Sequence, residues 1–433
     1  MKNLIIEVTS RCNLSCSMCL RQTWQEATGD MSMETFKGLI PAFFRLDSIN
    51  LSGYGEPFLN PQLIDMILLA KEHGSPFGRV ELTTNGTLID RRIAQEVINA
   101  GLDSISLSLD SLDLKKFSGI REKRDLESVL ESLETFRGIR KNAQKPFKIA
   151  LSFVAMKRNI EELPRLVHFA ADRGVDAVWV NNVLPPTEDI ARDVLYDSFS
   201  DEVLTLFARV RDRYNELEVA PRRFPLLVQK LYYSIFNGFS LTESLSSEEI
   251  QALRVSKTAV SEAIAAGGDF SMIQLLERKE DHDKDYWRIF EESKNIAVAR
   301  NVELHLPLIV PRTRRECNFI KNETCFITWD GWVRPCNQLS HNIICFHYGR
   351  RKRVESVGFG KVPNGDLWAI WESEPYRTFR ETVGEFPFSP CGDCSVAKGC
   401  DLISPDSPFL FDCYANEQPC GDCLWSRGIL QCP

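Results

Sequence analysis

Fourteen cysteines in 433 residues fall into two groups, and the first is a triplet, Cys12, Cys16 and Cys19, directly after the apolar run Leu4 to Val8. Thiolates are the ligands of iron–sulfur clusters. A four-iron cube held by three local cysteines keeps one iron without a protein ligand, and an open iron can bind a substrate or a cofactor. The C-x3-C-x2-C spacing also suits zinc or a disulfide, and the triplet alone leaves those readings open.

Such a claw needs a scaffold. From residue 1 to about 185, short β-branched runs alternate with longer amphipathic stretches, the mark of βα units on a parallel sheet. Strands are predicted near Leu4–Thr9, Ser48–Ser52, Arg79–Thr83, Ser104–Leu109, Lys148–Val154 and Ala177–Asn182, with helices near Met33–Phe44, Pro61–His73, Asp90–Ala100, Leu126–Arg140 and Glu161–Arg173. Six units are too few for a closed eight-fold barrel. The fold class is therefore α/β, a partial (β/α)6 TIM barrel with its chemistry at the C-terminal strand ends. Those ends carry Gly53-Tyr54-Gly55-Glu56-Pro57, then Thr83-Thr84-Asn85-Gly86, then Ser106, Ser108 and Asp110 on one face of the fourth strand.

Taken together behind the triplet, these motifs resemble the radical S-adenosylmethionine (SAM) superfamily. The resemblance implies that Cys12, Cys16 and Cys19 ligate a [4Fe–4S] cluster whose fourth iron chelates SAM. It implies that Glu56, after Gly55 in the GEP motif, bonds the SAM amino group and that Ser108 and Arg121 hold its carboxylate. Asn85 and Asp110 would lie near the methionine and ribose portions. Met18 stands where the family usually has an aromatic residue beside the adenine. On this pattern the cluster donates one electron to the sulfonium, producing methionine and a 5′-deoxyadenosyl radical, and a low-potential donor such as ferredoxin or flavodoxin supplies it. No Ser/His/Asp set stands out among six scattered histidines, which argues against hydrolytic chemistry.

The chain divides, on this reading, into a partial barrel at 1–216, a helical insertion at 217–283, a last barrel helix, strand and linker at 284–312, and a cysteine-rich tail at 313–433. Eleven of the fourteen cysteines lie in the tail: Cys317, Cys325, Cys336, Cys345, Cys391, Cys394, Cys400, Cys413, Cys420, Cys423 and Cys432. A segment with so few apolar residues needs metal sites to hold it together, and zinc ribbons stand beside iron as a reading. Asp330-Gly331 marks a hairpin before Cys336.

The tail resembles the SPASM extension of radical SAM enzymes, a small iron–sulfur domain. That implies two auxiliary [4Fe–4S] clusters, one on Cys317, Cys325, Cys336 and Cys413, the other on Cys391, Cys394, Cys400 and one of Cys420, Cys423 and Cys432. Position 404, a cysteine in the usual pattern, is Ser404 here, and Cys345 reads as a core thiol. The terminal run from Cys420 to Pro433, Trp329 to Cys336 and Asn181 to Pro185 resemble radical SAM/SPASM maturases associated with tungsten-containing aldehyde:ferredoxin oxidoreductases. The implied partner is a tungsten-dependent oxidoreductase or its cofactor. A peptide substrate, and a non-catalytic iron–sulfur or zinc scaffold, are the competing readings.

Composition bounds these alternatives. A net charge of −8 with a pI near 5.5 lacks the basic footprint of a nucleic-acid binder. The N-terminal apolar stretch is too short for a signal peptide and no run is long enough to span a membrane, so the expected compartment is cytoplasmic and reducing.

Overall fold

A computed structural model describes residues 1–24, 26–121, 126–141, 145–237, 245–266, 268, 270–277, 281–392, 394, 400, 402, 411–417 and 420–431. Cys432 lies outside them. The sheet starts with β1 (Asn3–Ile6), followed in parallel by β2 (Ser48–Asn50), β3 (Arg79–Thr84), β4 (Ser104–Ser108), β5 (Lys148–Ala155) and β6 (Ala177–Asn182). Side chains alternate across each strand, so Ile49, Val80, Leu82, Ile105 and Leu107 join the main core. Asn50, Thr83, Ser106, Ser108 and Ser152 occupy the opposite, inner face. The crossovers are α1 (Met33–Phe43), α2 (Leu63–His73), α3 (Arg91–Asn99), α4 (Leu114–Arg121) with α5 (Leu126–Arg140), and α6 (Leu163–Asp172). Ser32 and Asp90 cap α1 and α3 by accepting the amides of Thr35 and Ile93 at 3.1 and 2.7 Å.

This is the expected partial barrel, and two further strands extend it. β7 (Glu303–His305) adds in parallel beside β6, while β8 (Thr324–Ile327) adds in parallel on the other flank, against β1. The tail is thereby built onto the barrel's own sheet. From β8 the chain turns through Asp330-Gly331 into antiparallel β9 (Trp332–Arg334), which β12 (Gly360–Lys361) borders. Gly331 has φ +92°, and a Cβ there would stand 2.2 Å from the Val362 carbonyl oxygen. Only glycine fits that turn. A separate hairpin joins β10 (Ile343–His347) to β11 (Arg350–Val354).

After the short α7 (Glu188–Arg192), four helices form their own unit: α8 (Asp201–Glu216), α9 (Phe224–Asn237), α10 (Ser247–Ala265) and α11 (Met272–Glu277). Their separate core includes Phe199, Val203, Phe207, Ala252 and Leu275, and the Tyr214 hydroxyl lies 2.9 Å from Ser256 Oγ. The predicted boundary at residue 216 cuts through this unit, because the apolar face of α8 is buried against α10 rather than against the sheet. Phe290 and Ala297 of α12 (Asp281–Arg300) return to the main core. The remaining tail helices are α13 (Asn318–Lys321), α14 (Leu367–Trp371) and α15 (Glu374–Glu385). Among the described residues no helix is long and apolar enough to cross a membrane.

Barrel and tail are pinned together by a buried imidazole. His341 Nε2 and Nδ1 each lie 2.9 Å from a carboxylate oxygen, of Glu7 and Glu26 respectively, and Trp24 stacks on the ring at 4.0 Å. Burial alone would lower the His341 pKa, but the hydrogen bonds and charge of Glu7, then of Glu26, outweigh it and hold the group above its ordinary 6.5. A raised folded pKa contributes stability that is complete below the unfolded pKa and is lost as pH rises through the folded one. Urea midpoints are therefore expected to fall as pH increases above 6.5, and His341→Gln is expected to flatten that dependence while costing about 3–5 kcal/mol at low pH. An unchanged pH profile in the variant contradicts the assignment.

Candidate functional site

The triplet loop leaves β1 and is fixed by its backbone. Ser10 N donates to Gly29 O at 3.0 Å, Ser17 N to Ile120 O at 3.0 Å, and Gln22 Nε2 to Cys16 O. The Gly-Glu-Pro turn after β2 is fastened to the same loop, with Glu56 N donating to Arg11 O at 2.8 Å. Gly55 is required here because a Cβ would stand 2.1 Å from Thr9 O and 2.7 Å from Arg11 O, both backbone atoms that cannot swing away.

Around this loop the strand ends converge. Glu56 is buried and its carboxylate accepts Thr84 Oγ1 at 2.7 Å, Asn85 N at 2.8 Å and Phe58 N at 3.3 Å. Burial raises its pKa, and these donors only partly offset the rise. Asn85 Nδ2 reaches Asn13 Oδ1 at 2.9 Å and Cys12 Sγ at 3.9 Å. The sequence motif contains Thr84 but does not reveal its bond to Glu56, and it gives no sign of the contact between Asn85 and Asn13.

Asp110 and Arg121 form a buried ion pair, Nε to Oδ2 2.6 Å. Asp110 Oδ1 also accepts Val154 N at 2.8 Å, which fixes the carboxylate between two strands. Desolvation would lower the Arg121 pKa, but Asp110 first and then Cys16 hold it up, so a fixed cation faces the thiols. Burial pushes the Cys16 thiol up to about 12 against the pull of Arg121, with Cys19, Asp110 and Cys12 adding to the rise. Ser108 ends β4 on the inner face, and Met18 packs with Ile120, Met156, Val183 and Ile190 in a small apolar cluster. Asn50 Oδ1, Ser106 Oγ and Asn181 Oδ1 are buried without partners. The structure thus brings Cys12, Cys16, Cys19, Glu56, Asn85, Asp110 and Arg121 into one connected neighbourhood.

The fit to a cluster rests on the donor set. Three thiols share one loop beside a fixed guanidinium, and burial likewise raises the Cys19 thiol, whose sulfur takes a backbone hydrogen bond from Arg21. Three thiolates are the donor set of a four-iron cluster that keeps one iron without a protein ligand.

In the tail the grouping differs from the predicted one. Cys317, Cys336, Cys420 and Cys423 line a single cavity with Phe319 and Leu339. Cys325 instead faces the core from β8, level with Leu4, its thiol 3.7 Å from Arg334 O and hydrogen-bonded to Tyr376. Strand alternation sends it to that side. Cys413 is exposed, and Cys391 lies nearest Ser389, 3.0 Å from its Oγ, with Asp422 and Lys352 also within charge range. Cys345 is a fully buried core residue, as expected.

Comparison with known proteins agrees with this geometry. Residues 6–170 match the radical SAM superfamily and residues 317–395 the SPASM iron–sulfur cluster-binding domain. The chain is 28% identical over 444 aligned positions to a tungsten-containing aldehyde ferredoxin oxidoreductase cofactor-modifying protein of Pyrococcus furiosus, covering 100% of this chain and 97% of that one. It is 32% identical over 197 residues to a GTP 3′,8-cyclase of Rhizobium etli, 44% of this chain and 53% of the relative. The fold is similar to that of Streptococcus suis SuiB, crystallised with S-adenosylmethionine, at a TM-score of 0.51 and 15% identity over 95% of this chain and 76% of that one. The chain thus carries a radical SAM domain at residues 6–170 and a SPASM domain at residues 317–395, and the two together imply iron–sulfur clusters and SAM binding.

Proposed function

We propose that this enzyme cleaves SAM reductively and directs the resulting radical at a tungsten-dependent oxidoreductase or at its pterin cofactor. The observation that carries the reading is the similarity to the P. furiosus cofactor-modifying protein, which runs from one end of both chains to the other. The cluster and SAM, when bound, supply one-electron cleavage to a 5′-deoxyadenosyl radical, with ferredoxin or flavodoxin as the class of electron donor. Cys12, Cys16 and Cys19 would hold the cluster. Glu56, ringed by its three donors, would receive the SAM amino group, while Arg121 and Ser108 serve its carboxylate. The apolar cluster around Met18 suits the adenine face, and Asn85 and Asp110 line the methionine and ribose side. Unpartnered Asn50, Ser106 and Asn181 offer hydrogen-bonding atoms where a substrate meets the inner face.

Anaerobically reconstituted protein with SAM and dithionite tests the proposal through 5′-deoxyadenosine yield. The tungsten oxidoreductase in its cofactor-free form, or its isolated cofactor, is expected to raise the yield several-fold over enzyme alone. Stimulation only by a short peptide carrying modifiable side chains overturns the substrate assignment, and metal-loaded protein that makes no 5′-deoxyadenosine with any addition overturns the chemistry.

A further inference from the structure

We propose that Cys317, Cys336, Cys420 and Cys423 hold one auxiliary [4Fe–4S] centre in which every iron has a protein thiolate. The matched SPASM region ends at residue 395, so two of these four ligands come from chain beyond it. The assignment does not depend on which substrate the radical attacks.

Three features of the tail support it. First, the four cysteines line one cavity whose remaining wall is apolar apart from Gln338, with Phe319, Leu339 and Phe379 among its members. Within it Cys336 is in charge range of Cys317 and Cys423, and Cys420 is in range of all three others. Second, three of the sulfurs receive the same pair of backbone amides. Phe319 and Ile320 point at Cys317, Gln338 and Leu339 at Cys336, and Trp425 and Ser426 at Cys423. Amides two and three residues after a cysteine form a nest for sulfur that carries negative charge, and such hydrogen bonds tune cluster potentials.

Third, the segments that bring the cysteines together are locked to each other. Arg312 N donates to Arg427 O at 3.0 Å and Glu316 N to Ser426 O at 2.9 Å. The Arg315 guanidinium bonds Ser389 O at 2.8 Å and Gly421 O at 3.2 Å. A Cβ at Gly421 would lie 2.6 Å from Ser389 O, so the Cys-Gly-Asp-Cys turn seats at this depth only with glycine. Asp422 anchors the same turn against Lys352 and Arg350. Ser404 has no thiol to offer the centre, and Cys325 and Cys413 do not line the cavity.

The full-length protein, reconstituted anaerobically, tests this by iron and sulfide content and by the electron paramagnetic resonance of the reduced clusters. Cys420→Ala and Cys423→Ala are each expected to lose about four irons per chain and one reduced-cluster signal. Cys325→Ala and Cys413→Ala are expected to keep both. Loss of iron from Cys325→Ala with retention in Cys420→Ala overturns the assignment, as does zinc in place of iron. Cys420→Ser guards against a variant that merely misfolds, because its oxygen can still ligate. A shifted auxiliary signal in Cys420→Ser supports coordination by that residue, and a signal identical to wild type overturns it.

Discussion

Cys16→Ala is expected to reduce 5′-deoxyadenosine formation to the level seen without enzyme while leaving the protein folded. The loop keeps its shape through main-chain and side-chain contacts that the substitution does not touch, among them Ser10 to Gly29, Ser17 to Ile120 and the docking of Glu56 N on Arg11 O. What disappears is one of three sulfurs beside Arg121. Two thiolates cannot retain a cube whose fourth iron is already left to SAM, and the reaction has no second route to its electron. The measurement is SAM cleavage by anaerobic, reconstituted protein, accompanied by iron content. Iron belonging to the tail is expected to persist, since the cavity lined by Cys317, Cys336, Cys420 and Cys423 includes none of Cys12, Cys16 and Cys19. Undiminished SAM cleavage by the variant removes the role given to the triplet.

The barrel was legible because its strands carry period-two apolar patterns between amphipathic helices, and both signals are local. Ile105 and Leu107 alternate with Ser104, Ser106 and Ser108, and the burial of the first pair follows that alternation. The same locality explains what escaped. Helix α4 is only eight residues long and contains Gly119, and it is held by the Asp110–Arg121 pair and by Ser17 on the Ile120 carbonyl. β8 takes its place beside β1 through a register of Asn3 with Thr324, a relationship of chain ends that no window of sequence contains. Cysteine spacing identified metal-bearing segments but not their grouping. Cys325 is eight residues after Cys317 and yet turns to the core, because a residue on a strand must point to one face or the other. Two cysteines 84 and 87 residues after Cys336 complete the cavity instead (420 − 336 and 423 − 336).

Asp110→Ala is expected to be the most destabilising single change near the site, by about 3–5 kcal/mol, because it strands the buried Arg121 guanidinium without its counter-charge. The carboxylate has two duties, binding Arg121 Nε at 2.6 Å and Val154 N at 2.8 Å, so alanine also orphans a strand amide. The damage spreads to the triplet, since Ile120 beside Arg121 carries the carbonyl that receives Ser17 N and Oγ. Removing both charges together, as Asp110→Ala with Arg121→Met, is expected to recover part of the loss, because no unpaired ion remains. The double variant also separates structure from chemistry. If Asp110 and Arg121 serve only to fold α4, SAM affinity returns along with the urea midpoint. If they also line the SAM site, as proposed, stability recovers while affinity stays low. An Asp110→Ala midpoint within error of wild type contradicts the account of the ion pair, and full recovery of SAM affinity in the double variant contradicts the carboxylate role.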